Sequence, residues 1–278
     1  MSEDRSEFWH FERRGWEKAA PNYQACWSGL TTQFIDPLLK AIGIRPGMRV
    51  LDVACGPGFV SEAVWRLGAN TVGLDFTVAM IDLATRRCPQ LDFRQGDAQE
   101  LGLPDESFDA VAMNFGVNHL ADPDTAFAEA RRVLKRGGRY GFTVWAKPEQ
   151  NPGVRIMHEA VEKHADLSVP IPEGPSGFRF AERDECRRTL ETAGFAPSSL
   201  TFEMLQVGWS IPRASFFLEA ERTAGVRTAA LLARQSEERL VAIESELQRG
   251  VEAYATADGF TLPMAAYVVA ASSNPHDL

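Results

Sequence analysis

The sequence predicts an α/β fold: a parallel sheet covered on both faces by helices, with a helical cap drawn from the N-terminus and from late insertions. Three observations carry this. Short β-branched runs alternate with helical stretches, the mark of a parallel sheet. The runs Asp109–Met113 and Gly141–Trp145 are apolar without a period of two, as strands buried on both faces are. A strand also runs directly into a glycine turn, Gly56-Pro57-Gly58, with a helix just after it.

Taken in order, residues 1–45 are rich in aromatics (Trp9, Trp16, Tyr23, Trp27) and read as a helical cap. The first strand is Met48–Ala54, followed by a helix over Val60–Leu67. Thr71–Leu74 is a strand, Ala79–Arg87 a helix, and Leu91–Arg94 and Ala110–Asn114 are strands. A helix over Thr125–Leu134 is closed by Lys135-Arg136-Gly137-Gly138, basic residues followed by glycine. Arg139–Trp145 is the fifth strand, and Ser199–Val207 and Met264–Ala271 make seven. The core strands are interrupted by helical or loop-like insertions at 151–177 and 211–258. In the second, Ser236-Glu237-Glu238-Arg239 starts a helix in which Leu240, Ile243, Leu247, Val251 and Tyr254 share one face. The expected organisation is a cap over 1–45, a cofactor-binding core over 46–150, and over 151–278 the remaining strands with their insertions.

Composition narrows the function. The chain has 278 residues, 45% hydrophobic and 24% charged, which suits one large globular domain or two and excludes disorder, collagen and coiled coil. A net charge of −9 repels phosphate backbones, so nucleic acid is not an expected partner. The four cysteines (Cys26, Cys55, Cys88, Cys186) are scattered and read as free thiols of a reducing, cytoplasmic compartment. The polar start is unlike a secretory leader, and the longest apolar run, Met264–Ala271, is too short to cross a membrane. No cluster has metal-ligand spacing, so no metal is expected. Oligomeric state is not encoded in any pattern here.

The glycine turn is the strongest local signal. Glycines let the backbone approach a ligand, and the helix N-terminus behind them offers free N–H groups. The second strand ends in Gly73-Leu74-Asp75, placing a carboxylate where it can accept from both hydroxyls of a ribose. The third is followed by Gln95-Gly96-Asp97-Ala98, so Asp52, Asp75 and Asp97 are expected along one rim. A dinucleotide fingerprint wants a third glycine where Ser61 stands, and there is no P-loop Lys-Ser/Thr pair. An acidic rim disfavours a polyphosphate and suits a nucleoside bearing a cation. The sulfonium and ammonium of S-adenosylmethionine fit that description.

Val50-Leu51-Asp52-Val53-Ala54-Cys55-Gly56-Pro57-Gly58 resembles motif I of the class I S-adenosylmethionine-dependent methyltransferases. Gly73–Met80, Gln95–Gln99 with Leu103–Asp109, and Glu129–Gly138 are similar to the motifs that follow it, in the family's order, across about 46–147. The subgroup it looks most like contains ubiquinone/menaquinone-biosynthesis-type and natural-product methyltransferases. The resemblance implies a Rossmann-like, seven-stranded, mostly parallel sheet with an antiparallel last strand. It implies S-adenosyl-L-methionine as cofactor and S-adenosyl-L-homocysteine as product. It further implies that Gly56 and Gly58 face the methionine part, with Asp52 or the Ala54 carbonyl near its ammonium. Asp75 would bind the ribose, Phe76 and Met80 would pack on the adenine, and Asp97, Ala98 and Gln99 would form the adenine-amino segment. Asn114 would meet the methionine end through its backbone. Tyr23, in a segment similar to the family's cap helix, would reach the cofactor or serve as packing.

Methyl transfer is an in-line displacement, helped by positioning and, for an acceptor of high pKa, by a base. His119 follows the fourth strand at the ligand edge and is the candidate base; its alternative role is a packed loop histidine. His158 and His164 read as surface, and the terminal His10 and His276 carry no signal. Trp145 and Lys147 after the fifth strand, with Trp209, Phe216 and Phe217, suggest a hydrophobic or aromatic small acceptor, with core packing as the alternative. Competing readings are a nicotinamide-dependent oxidoreductase, a protein that binds S-adenosylmethionine without catalysis, and a relative that uses the cofactor's charge to assist a cyclisation.

Overall fold

The computed structural model describes residues 6–273; the opening five residues of the polar N-terminus and His276 lie outside the described residues. In chain order the first elements are α1 (Glu7–Thr31), α2 (Ile35–Ile42), β1 (Arg49–Val53), α3 (Phe59–Arg66), β2 (Asn70–Asp75), α4 (Val78–Arg87) and β3 (Asp92–Gln95). Next come β4 (Phe108–Met113), α5 (Pro123–Val133), β5 (Leu134–Trp145), α6 (Pro152–His164) and α7 (Arg183–Thr192). The last are β6 (Thr201–Ile211), α8 (Phe216–Ala224), α9 (Arg227–Leu232), α10 (Glu237–Glu252), β7 (Ala255–Thr256) and β8 (Gly259–Ser272).

The chain divides into two compact units. A sheet unit comprises Thr31–Trp145, Pro175–Leu205 and Tyr267–Leu278; a helical unit comprises Met1–Leu30, Ala146–Gly174 and Gln206–Ala266. The strand order is β3-β2-β1-β4-β5-β8-β6, with β7 paired to β8. From β3 to β5 the neighbours are parallel. β8 runs against β5: Ala146 N–H donates to the Ala265 carbonyl and Ser273 N–H to that of Gly138, so the partners count in opposite directions. The fold is therefore the expected Rossmann-like sheet with an antiparallel end, in eight strands rather than seven. The added strand is the two-residue β7, turned back on β8.

In the sheet unit, α2 lays Ile35, Leu38, Leu39 and Ile42 against Val50, Ala110, Ala112, Val268 and Ala270 of the strands and Val60 and Val64 of α3. A second packed cluster joins Phe127 of α5 to Tyr140 and Phe142 of β5 and to Phe180, with ring centroids 5.0–5.9 Å apart. α5 starts where Asp122 accepts from Thr125 N–H at 3.0 Å with Pro123 in the first turn.

Three local expectations are corrected. The helix before β5 ends at Val133, and Lys135–Gly138 belongs to β5. Phe108 pairs with Leu134 but Ala110 with Arg139, so these residues form a bulge. Asp109 holds it, accepting from Arg49 N–H at 2.7 Å and from Lys135 Nζ at 2.7 Å. The helix α7 was not foreseen: it is strongly charged and buries only Cys186, Thr189 and Leu190. The last two strands run longer than expected, β6 to Ile211 and β8 from Gly259.

In the helical unit α10 begins after Ser236, whose side chain accepts from Arg239 N–H, and it buries Ile243, Leu247 and Val251 as its pattern requires. His164 is not a free surface histidine: its Nε2 lies 3.1 Å from Glu246 of α10, beside Lys163 at 2.9 Å. α1 carries a fully buried Glu12, paired with Arg227 Nε at 2.8 Å, while the Arg227 guanidinium lies over the Phe8 ring. Trp27 donates to the Ala224 carbonyl at 3.1 Å and stacks on Trp209 at 5.0 Å. Trp209 and Phe217 are buried in this packing.

Candidate functional site

The C-terminal ends of β3, β2, β1 and β4 lie side by side because the four strands are parallel, and this edge carries the glycine turn, Asp75, the Asp97 segment and Asn114. After β1 the chain turns through Ala54 at φ +54°, Gly56 at +49° and Gly58 at +79°. Such angles are routine for glycine and uncommon for alanine, so the turn holds local strain of the kind found at ligand sites. The two glycines serve different ends. A Cβ on Gly58 would lie 2.7 Å from the Phe93 ring, whereas a Cβ on Gly56 would meet no heavy atom within 4 Å. Gly58 lets the turn close on β3, and Gly56 keeps a space open.

Asp75 closes β2 and is 5% exposed. Its Oδ2 accepts from Gly56 N–H at 3.0 Å, tying the end of β2 to the glycine turn. Its Oδ1 accepts from Thr77 N–H at 3.0 Å and from Thr77 Oγ1 at 2.9 Å. Thr77 was missed in the sequence, although a threonine immediately ahead of a helix is a start signal; here its hydroxyl is spent on Asp75. Phe76 is half-buried and Met80, one turn into α4, is buried. Beyond β3, Asp97 is half-buried and accepts from Gln99 N–H at 2.8 Å, with Ala98 buried between them. Gln99 in turn accepts from Asp122 N–H.

Asp52 departs from the expected rim. It lies inside β1, paired with Gly73 and Ala112, and is fully buried. Its Oδ2 accepts from Ser61 N–H at 2.9 Å and Ser61 Oγ at 2.7 Å, so it anchors the start of α3 behind the turn. Its Oδ1 is buried with no hydrogen-bond partner. Burial pushes this carboxyl up to about 7 against the opposing effect of the Ser61 bonds. Burial likewise holds the Cys55 thiol well above its usual range, which makes it a poor nucleophile.

On the other side of β1, Asn114 and Phe115 follow β4. Asn114 Nδ2 donates to the Thr31 carbonyl at 3.2 Å and its Oδ1 accepts from Thr143 Oγ1 at 2.8 Å. The side chain is thus committed to the fold. His119 sits half-buried in the short 3₁₀ turn Val117–His119 at the same edge. Trp145 ends β5, its ring stacked on Phe115 at 4.0 Å with Phe34 edge-on at 5.9 Å. Tyr23 belongs to α1 of the helical unit, edge-on to Trp16 at 5.8 Å.

Residues 51–142 match the family model described as Methyltransferase domain. The chain is 37% identical over 159 residues to a demethylmenaquinone methyltransferase of Streptomyces avermitilis, covering 52% of this chain and 69% of that one. It belongs to the S-adenosylmethionine-dependent methyltransferases. To the demethylmenaquinone methyltransferase of Renibacterium salmoninarum it is 40% identical over 124 residues, 45% of this chain and 52% of the relative. The chain thus spans about half the length of that relative. Its fold is similar to that of the Haemonchus contortus phosphoethanolamine N-methyltransferase 2 solved with phosphomonomethylethanolamine and S-adenosylhomocysteine. The TM-score there is 0.56 at 19% identity, over 96% of this chain and 60% of that one. These comparisons bring no support to a nicotinamide oxidoreductase.

S-adenosylmethionine is the methyltransferase family's cofactor, and the residues present fit it. The open space at Gly56, at a backbone angle suited to glycine, is the cradle that a close-approaching ligand needs. Asp75 at the end of β2 and Asp97 just beyond β3 put two carboxylate acceptors at neighbouring strand ends, a donor set compatible with hydroxyl and amino groups.

Proposed function

We propose that this chain transfers the methyl group of S-adenosylmethionine to O, N or C of a hydrophobic or aromatic small molecule. The observation that supports this most is the joining of Asp75 to Gly56 N–H across an open glycine turn. When bound, the cofactor supplies a methyl group already activated by a sulfonium, so positioning provides most of what the protein must add. In this reading Gly56 and the Asn114 backbone receive the methionine part, with the Ala54 carbonyl near its ammonium and Asp52 behind the turn. Asp75 takes the ribose, Phe76 and Met80 flank the adenine, and Asp97, Ala98 and Gln99 hold its amino edge. His119 accepts the proton of an oxygen acceptor; a carbon or amine acceptor does without it.

Demethylated quinones, the substrates named for the relatives, are the first acceptor class to try. Residues 1–45, 151–177 and 211–258 are the parts we assign to acceptor recognition, with Tyr23 and Phe216 among their aromatics. The net charge of −9 supports a small molecule over nucleic acid as partner. Four free, buried cysteines support a cytoplasmic location. Among the described residues no helix is long and apolar enough to cross a membrane.

Calorimetric titration with S-adenosylmethionine, S-adenosylhomocysteine and NAD, followed by a methyl-transfer screen over quinols, phenols and amines, tests the reading. Binding of the first two and a labelled methylated product are expected. Binding of NAD alone would overturn the cofactor reading, and cofactor binding without transfer to any class would favour a non-catalytic or cyclase-like role.

A further inference from the structure

The turn after β4 is held by one buried hydroxyl. Phe115 adopts φ +56°, an uncommon conformation for a bulky side chain. Its N–H donates to Thr143 Oγ1 at 2.8 Å, and its ring is clamped by Trp145 at 4.0 Å and Phe34 at 5.2 Å. Thr143 is fully buried in β5, and the same hydroxyl donates to Asn114 Oδ1 at 2.8 Å. It therefore grips two consecutive residues of the turn, one by its side chain and one by its backbone. The next residue, Gly116, is pressed against the glycine turn of β1: a Cβ there would lie 2.7 Å from the Cβ of Ala54. Whatever fixes residues 114–116 thus fixes one flank of the cofactor turn.

Strand order says which flank. β2 and β3, with Asp75 and Asp97, lie on one side of β1, and β4 lies on the other. A ligand whose nucleoside rests against the two acids has its opposite end beside the turn after β4. We propose that Thr143 is a positioning residue for the amino-acid arm of S-adenosylmethionine, acting through Asn114 and Phe115 to hold that turn against Ala54; this rests on the cofactor reading above. Valine in its place keeps the shape of threonine but leaves Asn114 Oδ1 and Phe115 N–H without the hydroxyl they share. The strained turn then relaxes and carries Gly116 off Ala54.

The test titrates the full-length protein, Thr143→Val and Thr143→Ser with S-adenosylhomocysteine and, separately, with 5′-methylthioadenosine, which lacks the amino-acid arm. Thr143→Val is expected to weaken S-adenosylhomocysteine about tenfold or more, the scale of one unmade buried hydrogen bond, and to leave methylthioadenosine nearly unchanged. Thr143→Ser, which keeps the hydroxyl, is expected to restore most of the loss. Equal weakening of both ligands would show a merely structural role and overturn the proposal. Unchanged S-adenosylhomocysteine affinity, or no rescue by serine, would overturn it as well. Should Thr143→Val fail to fold, Asn114→Ala removes the hydroxyl's acceptor and is read by the same selective loss. Failure of the unaltered protein to bind either ligand would instead remove the cofactor reading and this proposal together.

Discussion

Replacing Asp75 with alanine should separate cofactor binding from folding. The carboxylate is 5% exposed and accepts from Gly56 N–H at 3.0 Å, from Thr77 N–H at 3.0 Å and from Thr77 Oγ1 at 2.9 Å. Removing it leaves two backbone N–H groups without that partner, at about 1–3 kcal/mol each where water cannot replace it. The expected loss of stability is therefore about 2–6 kcal/mol, a large share of the ~5–15 kcal/mol that holds a domain together. Hydrogen bonds from ligand hydroxyls to a charged acceptor contribute about 1.5–3 kcal/mol, so cofactor affinity should fall about 10- to 150-fold. Asp75→Asn keeps the Oδ1 acceptor for Thr77 but turns an amide donor toward Gly56 N–H, and should fold better while binding as poorly. Thermal melts give the first quantity, and calorimetric titration with S-adenosylhomocysteine below the melting point gives the second. A folded Asp75→Ala protein with unaltered S-adenosylhomocysteine affinity would refute the assignment.

Further outcomes are specific. Gly58→Ala should lower the melting temperature by several degrees, since its Cβ meets Phe93 at 2.7 Å. Gly56→Ala, with open space around its Cβ, should spare more stability and lose more cofactor affinity; the reverse ranking would contradict the cradle. The buried Asp52, with its carboxyl raised to about 7 from an ordinary 3.8, retains a proton in the folded state that the unfolded chain has released between those values. Its contribution is thus most favourable below about pH 4 and is lost as pH rises toward 7, on the order of 4 kcal/mol at full effect. Asp52→Asn, still able to accept from Ser61, should flatten that slope in urea unfolding at pH 5 and pH 8; an identical slope in both proteins would refute it. His119→Asn should reduce turnover of a phenolic or quinol acceptor about 10²- to 10⁴-fold with S-adenosylhomocysteine affinity kept. Full turnover of an oxygen acceptor would remove His119 as base.

What was legible in the sequence is what is local. β1, the glycine turn and α3 are continuous in the chain, and the turn's residue types dictate its path. Asp75 and Asp97 were legible because strands of a parallel sheet bring their ends to one edge. The bulge at Lys135–Gly138 was not, since basic residues followed by glycine also end helices; only the pairing of Asp109 with both Arg49 and Lys135 decides between the two. Helix α7 was hidden because it buries so narrow a stripe. The polar supports of the site, Ser61, Thr77 and Thr143, look generic where they stand. The decisive bonds of Thr143 reach across 28 and 29 positions. Asp52 was misplaced for a related reason: its residue type suggested a rim, while its register with Gly73 and Ala112 puts it in the interior.

The pairing of Glu12 with Arg227 spans 215 positions of the chain. At about 5–20 residues per second on the ribosome, roughly 10–40 s of translation separate the two residues. Throughout that interval α1 has been made but its partners have not: Arg227 for Glu12, and the Ala224 carbonyl for Trp27. Until then the Phe8 ring also lacks the Arg227 guanidinium that lies over it. The helical unit is therefore completed only when the stretch up to Ala266 has left the exit tunnel, and the sheet unit, which takes its last strand from Tyr267 onward, is completed later still.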